Sequence, residues 1–172
     1  YDITPQPPIE SPPMARPSTV SGRATTASAL LAGTSSACVA RVGDSRVYRL
    51  RSGALKQLTH DHSWVEEQVR AGTMSASAAR QHPWRNVVTR ALSGGEDPEV
   101  DVTEVEPAAG DRYLLCSDGL FSVVTDQQIA DILGDTELSL QQICAALIAA
   151  ANAGGGPDNI RLMSGVAPPL GV

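Results

Sequence analysis

Apolar and polar positions follow a strand-like pattern in the first part of the chain and a helical spacing in the last part. From about Ala27 the pattern suits strands, and residues 36–42 and 46–50 each read as one. Gly43-Asp44-Ser45 between them is a turn-forming tripeptide, so an antiparallel hairpin is expected. Ser52-Gly53 makes a second turn before residues 54–59, which extends the pair into a meander. Residues 112–116 form a compact apolar strand ending abruptly in Ser117-Asp118-Gly119, and residues 160–166 read as a last strand.

Three helix starts carry a hydroxyl residue with Glu or Gln three positions on: Ser63 with Glu66, Thr125 with Gln128, and Ser139 with Gln142. Behind the second, Ile129, Ile132 and Leu133 share a face, and Gly134 stands where a C-cap belongs. Behind the third, Leu140, Ile143, Cys144, Leu147, Ile148 and Ala151 follow the i, i+3, i+4, i+7 series. Residues 72–98 lack strong periodicity and read as irregular, with room for one short helix. Strands first, then a strand with helices, then a final strand predict an α+β fold.

Composition marks off the beginning of the chain. Residues 1–24 hold six of the twelve prolines, which remove backbone donors and fix φ, so a Pro-rich, extended or disordered linker is expected there. Residues 25–166 then form the folded domain and 167–172 a tail. The net charge of −6 argues against nucleic acid as a partner, since such binding leans on Lys and Arg. No apolar run approaches a membrane span, and the start has no signal-peptide pattern. Cys38, Cys116 and Cys144 match no zinc spacing and are expected to be buried free thiols, as in a cytoplasmic protein.

Three aspartates sit in turns beside predicted strands: Asp44, Asp118 and Asp158. Aspartate favours turns because its side chain bonds nearby amides, so each taken singly is an ordinary turn residue. Together they could aim carboxylates at one sheet edge, which suits a hard ion such as Mn²⁺ or Mg²⁺. His60 and His62 offer a rival zinc pair if both lie on a strand, but only His82 remains as a further imidazole. No Gly-x-Ser-x-Gly elbow, Walker loop or reactive-cysteine loop occurs, and Gly154-Gly155-Gly156 reads as a flexible connection.

Six segments in order resemble the motifs of the PP2C (PPM-type) protein serine/threonine phosphatases, closest to their bacterial branch. They are Val42-Gly43-Asp44-Ser45-Arg46, Leu58-Thr59-His60-Asp61-His62-Ser63, Asn86-Val87-Val88-Thr89-Arg90-Ala91-Leu92, Gly110-Asp111-Arg112, Leu115-Cys116-Ser117-Asp118-Gly119-Leu120 and Asp158-Asn159-Ile160. The resemblance implies a partial four-layer αββα sandwich with two antiparallel sheets. It implies Mn²⁺ or Mg²⁺ as cofactor, a metal-bound water as nucleophile, and a phosphoprotein as substrate. By motif match Asp118 and Asp158 correspond to ligands of the second metal, and Asp44 with Asp118 to a weaker third site. Asn159 and Gly119 would support them, and residues 63–95 match a variable flap beside the site.

One departure tempers that expectation. The family's Asp-Gly-Met-Gly-Gly turn, whose aspartate bridges two metals, does not occur in this sequence, and no Asp-Gly pair precedes Asp118. The chain therefore reads as the C-terminal portion of such a phosphatase, catalytically incomplete alone. A complementing N-terminal polypeptide or a homodimer would be its partner, and a non-catalytic phosphoprotein-binding module is the alternative.

Overall fold

The computed structural model describes residues 24–33, 36–93, 99–156 and 158–167. The expected linker at 1–24 therefore lies outside the described residues except for Ala24, as does the tail except for Ala167. Strands β1 (Ala24–Thr25), β2 (Ala27–Ala32), β3 (Ala37–Val42), β4 (Arg46–Arg51) and β5 (Ala54–Gln57) come first. Helices α1 (Trp64–Arg70) and α2 (Ala76–Gln81) precede β6 (Leu92–Ser93), β7 (Asp101–Val105) and β8 (Arg112–Cys116). The chain continues as α3 (Asp118–Phe121), α4 (Asp126–Gly134), α5 (Leu140–Ala153) and β9 (Leu162–Val166). The α+β class is as expected.

The described strands make three antiparallel sheets, ordered β1-β6, β2-β3-β7 and β5-β4-β8-β9, where two sheets were expected. The difference begins at the predicted hairpin. β3 and β4 do not pair: β3 bonds to β2 and β7, whereas β4 bonds to β5 and β8. Gly43, at φ 105°, carries the chain from one sheet to the other. Burial explains the crossing, because Val39 of β3 and Val47 of β4 pack into one core with Ala37 and Val105, so the two sheets meet there face to face. The second turn is as predicted. Ser52 and Gly53 both take positive φ, and β4 and β5 pair directly across them.

Alternation on β4 then sets the second core. Val47 faces the other sheet, while Tyr48 and Leu50 face the helices with Leu114 and Cys116 of β8. Against them pack Leu120 of α3, Ile129 and Leu133 of α4, and Ile143, Leu147 and Ala151 of α5, each without exposure. Burial of such aliphatic side chains contributes about 1.5–3 kcal/mol apiece, which is how a chain poor in aromatics holds together. All three predicted helix starts form: Ser63, Thr125 and Ser139 accept from the amides of Glu66, Gln128 and Gln142, the last two as full capping boxes.

Several expectations need correcting. Among the described residues α3, α4 and α5 pack against the four-stranded sheet, so three layers of the expected partial four-layer sandwich are seen. On the outer face of the three-stranded sheet Leu31 is 77% and Val102 62% exposed. Gly134 is the last residue of α4 and Asp135 is the cap. Arg112 closes the helix end by donating to the Leu133 and Asp135 carbonyls at 2.7 Å each. Of the cysteines only Cys116 is buried; Cys38 and Cys144 are half-buried. β7 and the short α3 were not foreseen.

Candidate functional site

Asp44 sits on the crossing between the two sheets, and that crossing is clamped from several directions. A Cβ at Gly43 would stand 2.3 Å from Thr26 Cγ2, so only glycine lets Thr26 pack against it. The Thr26 and Ser45 hydroxyls are 2.9 Å apart, and Ser28 Oγ donates to the Ser45 carbonyl. On the opposite flank the His62 amide and the Arg41 guanidinium donate to the Gly43 carbonyl at 3.0 and 3.4 Å. Hydrogen bonds to glycine and serine main chain thus hold an aspartate whose carboxyl is half-buried.

Asp118 and Asp158 are joined by strand pairing. β8 and β9 run antiparallel with Cys116 opposite Leu162, so the residues after β8 and those before β9 emerge at the same end of the sheet. Ser117 locks them together, its hydroxyl donating to the Asn159 carbonyl at 3.0 Å and accepting from the Arg161 amide at 3.1 Å. Asp118 opens α3, while Asp158 precedes β9 rather than ending a strand. The Asn159 backbone amide, not its side chain, donates to Asp158 Oδ1 at 2.6 Å. Gly119 lies against the main chain of Asn159 and Asp158.

Asp44, Asp118, Asp158 and Asn159 line one open cleft of about 880 Å³, together with Asn86, Val88 and Arg161. Burial, and then the Asp158 carboxylate, push the Asp118 carboxyl above its ordinary value. Burial, and then Asp118, do the same to Asp44. Carboxylates that repel one another in a cleft are the setting a divalent cation relieves. The donors are all oxygens, and Mg²⁺ is commonly held by one or two carboxylates with waters completing its shell. Among the described residues no group of three or more His, Cys, Asp or Glu is placed to hold an ion. The residues therefore fit part of a hard-ion shell, not a closed protein cage.

The rival chemistries lose their basis. His60 and His62 are not on a strand: His60 is 68% exposed, while His62 is buried and bonded to Gly43 and Asp101. His82 packs tilted against the Trp64 ring and edge-on against Trp84. Burial pushes the Cys116 thiol up to about 12, which leaves it no thiolate for nucleophilic work. Sequence reasoning assigned no role to Asp61 or Arg46. They form a bidentate pair at 2.7–3.1 Å, with the guanidinium 3.7 Å above the Phe121 ring. Asp61 also adds negative field at both Asp44 and Asp118. Its signal was the acid in Thr59-His60-Asp61-His62, obscured by the flanking histidines.

No family model matches the chain, but individual proteins do. Serine/threonine phosphatase stp of Listeria welshimeri is 40% identical over 144 residues, covering 84% of this chain and 57% of that protein. Serine/threonine protein phosphatase PstP of Mycobacterium tuberculosis is 41% identical over 142 residues, 83% of this chain and 27% of that one. The crystal structure of the M. tuberculosis phosphatase PstP/Ppp matches with a TM-score of 0.79 at 39% identity, covering 86% of this chain and 62% of that chain. The PstP catalytic domain in complex with two manganese ions matches at 0.74 and 37% identity, over 86% and 60%. The chain thus spans less than two thirds of these relatives. Over most of its own length it is homologous to the bacterial PP2C/PPM serine/threonine phosphatases.

Proposed function

We propose that this chain supplies the second-metal side of a PP2C-type phosphatase that hydrolyses phosphoserine and phosphothreonine in proteins. The observation that carries the reading is the convergence of Asp44, Asp118 and Asp158 on one cleft, in a chain 40% identical to a serine/threonine phosphatase. Asp118 and Asp158 would hold Mn²⁺ or Mg²⁺, with Asp44 and Asp118 facing a further ion. Such an ion supplies an activated water and neutralises phosphoryl charge. Gly119 and the Asn159 main chain hold the two carboxylates at one sheet end, and Asn86 and Val88 bound the cleft on the side of residues 63–95. The domain is read as residues 25–166, working in the cytoplasm.

Because the sequence has no Asp-Gly-Met-Gly-Gly turn, a complementing N-terminal segment that carries it would complete the metal site. The test is Mn²⁺-dependent hydrolysis of an aryl phosphate and a phosphothreonine peptide, by this chain alone and with a segment bearing that turn. Little turnover alone, turnover when complemented, and its loss in Asp118→Asn are expected. Full activity of the isolated chain would overturn the need for complementation. The absence of a three-residue ligand group among the described residues favours a second reading, a non-catalytic phosphoprotein-binding module. Phosphopeptide binding without turnover in the complemented protein would establish it.

A further inference from the structure

The search for chemistry outside the three aspartates ends at His62. This imidazole is 6% exposed and has both nitrogens engaged. Nδ1 accepts from the Gly43 amide at 3.2 Å, and Nε2 lies 3.0 Å from Asp101 Oδ2. Since an N–H points at Nδ1, the ring hydrogen sits on Nε2 and is donated to Asp101. Asp101 Oδ2 also accepts from Arg41 Nη2 at 2.7 Å, which fixes the carboxylate and through it the ring. Arg41 reaches on to the Gly43 carbonyl, and the His62 main-chain amide donates to that same carbonyl. The peptide group on either side of Gly43 is therefore held by one unit of three side chains, the buried Arg41 and His62 and the partly exposed Asp101, drawn from β3, the loop after β5, and β7.

We propose that His62 is a positioning residue for Asp44: its Nδ1 holds the Gly43 amide, and so the crossing that carries the Asp44 carboxylate, in the orientation that takes a cation. The proposal rests on the reading of Asp44 as a cation ligand. It also ties residues 63–93 to the site, because the Thr89 amide donates to the His62 carbonyl at 2.8 Å and Arg90 Nη1 lies 3.5 Å from Asp101 Oδ1. A shift of that segment would reach Asp44 through His62 rather than by direct contact.

The two ring nitrogens can be separated by substitution. In His62→Asn the side-chain oxygen can stand near the Nδ1 position and accept from Gly43, while His62→Gln reaches toward Asp101 and vacates that position. With the full chain and Mn²⁺ alone as probe, followed by the resonance of free Mn²⁺, His62→Gln is expected to lose about tenfold of the Asp44-dependent affinity, in the range typical of groups that orient metal ligands. His62→Asn is expected to stay within about twofold. Nitrogen NMR of the unsubstituted protein should show hydrogen on Nε2 and none on Nδ1. Hydrogen on Nδ1, equal losses in the two variants, or full affinity in His62→Gln would overturn the proposal.

Asp44→Asn separates the two layers of the argument. If it leaves Mn²⁺ binding unchanged, the ligand reading of Asp44 fails. The positioning role is then judged on exchange of the Gly43 amide, expected about tenfold faster in His62→Gln than in His62→Asn. Equal exchange in the two would overturn it.

Discussion

Gly119 and Asn159 meet main chain to main chain: a Cβ built on Gly119 would stand 2.6 Å from the Asn159 carbonyl oxygen. That contact adds to the β8–β9 pairing and the Ser117 bonds in holding the start of α3 close against the segment that carries Asp158. Backbone cannot rotate away as a flexible side chain could. Gly119→Ala is therefore expected to cost about 1–3 kcal/mol and to weaken Mn²⁺ binding by pushing the two carboxylates apart. Urea unfolding and a Mn²⁺ titration on the same variant check both; unchanged affinity would detach the glycine from the site.

The Asp118 carboxyl carries a pH signature of its own. Its folded value is raised by burial and by Asp158, so the ionised form opposes folding. That penalty is full above the folded pKa and disappears below the unfolded value of about 3.9. In metal-free protein Asp118→Asn is expected to raise the melting temperature at neutral pH, and the gain should vanish near pH 4. Asp158→Asn removes a like charge, so Asp118 should titrate at lower pH in that variant, as carboxyl carbon NMR would show. Proton release on Mn²⁺ binding should follow from the same repulsion.

Asp111 works in the opposite sense. Its side chain has no exposure, and Arg51 grips both oxygens at 2.7 Å while the Ala108 amide and the Tyr113 hydroxyl donate to Oδ2. Those partners hold the carboxyl down to about 2. Its folded pKa lies below the unfolded one, so its contribution is complete above about pH 4 and fades as pH falls toward 2. The difference corresponds to about 2 kcal/mol. Asp111→Asn is expected to destabilise by about that amount at pH 7 and to match the unsubstituted protein near pH 2, by denaturant unfolding across the range.

These contrasts show what sequence patterning can carry. Helix starts at Ser63, Thr125 and Ser139 were legible because capping is local: the hydroxyl and the amide it accepts from are three residues apart. The Gly43 crossing was not, because hairpin and sheet-to-sheet passage use the same turn residues and only Val39 meeting Val47 decides between them. β7 was missed because it is short and largely exposed, so its alternation carries little signal. Asp44, Asp118 and Asp158 could be named from their turns and the motif resemblance. Their common cleft depends on the pairing of β8 with β9, and the His62–Asp101 contact joins residues 39 apart.

Arg46 and Asp61 test whether the planar geometry of an ion pair matters to stability. The guanidinium makes three bonds to the carboxylate and lies over Phe121. Lysine keeps the charge but offers neither the fork nor the stacking plane. Arg46→Lys is expected to cost about 1–2 kcal/mol. Arg46→Ala should cost more, since it leaves the Asp61 charge, 11% exposed, without its partner. Denaturation midpoints in that order confirm the pair; equal midpoints for the lysine variant and the unsubstituted protein would show the fork contributes nothing.

Both tryptophans of the chain, Trp64 and Trp84, lie in the segment around α1 and α2 with ring centroids 4.9 Å apart. Trp64, Val65 and Ala79 form a core of their own, separate from the two cores of the sheets. Fluorescence excited selectively at tryptophan, beyond the absorption of Tyr48 and Tyr113 in the sheets, therefore reports this segment alone, while far-ultraviolet dichroism reports the whole fold. A small separate core opens at lower free energy than the sheets beside it, so the fluorescence transition in urea is expected to precede the dichroism transition. Trp64→Ala removes the largest member of that core and should destabilise it by about 3–5 kcal/mol. Amide exchange should then accelerate through Trp64–Arg70 and Ala76–Gln81 while the β4 and β8 amides keep their protection. Equal acceleration in both regions would show that this segment and the sheets unfold as one unit.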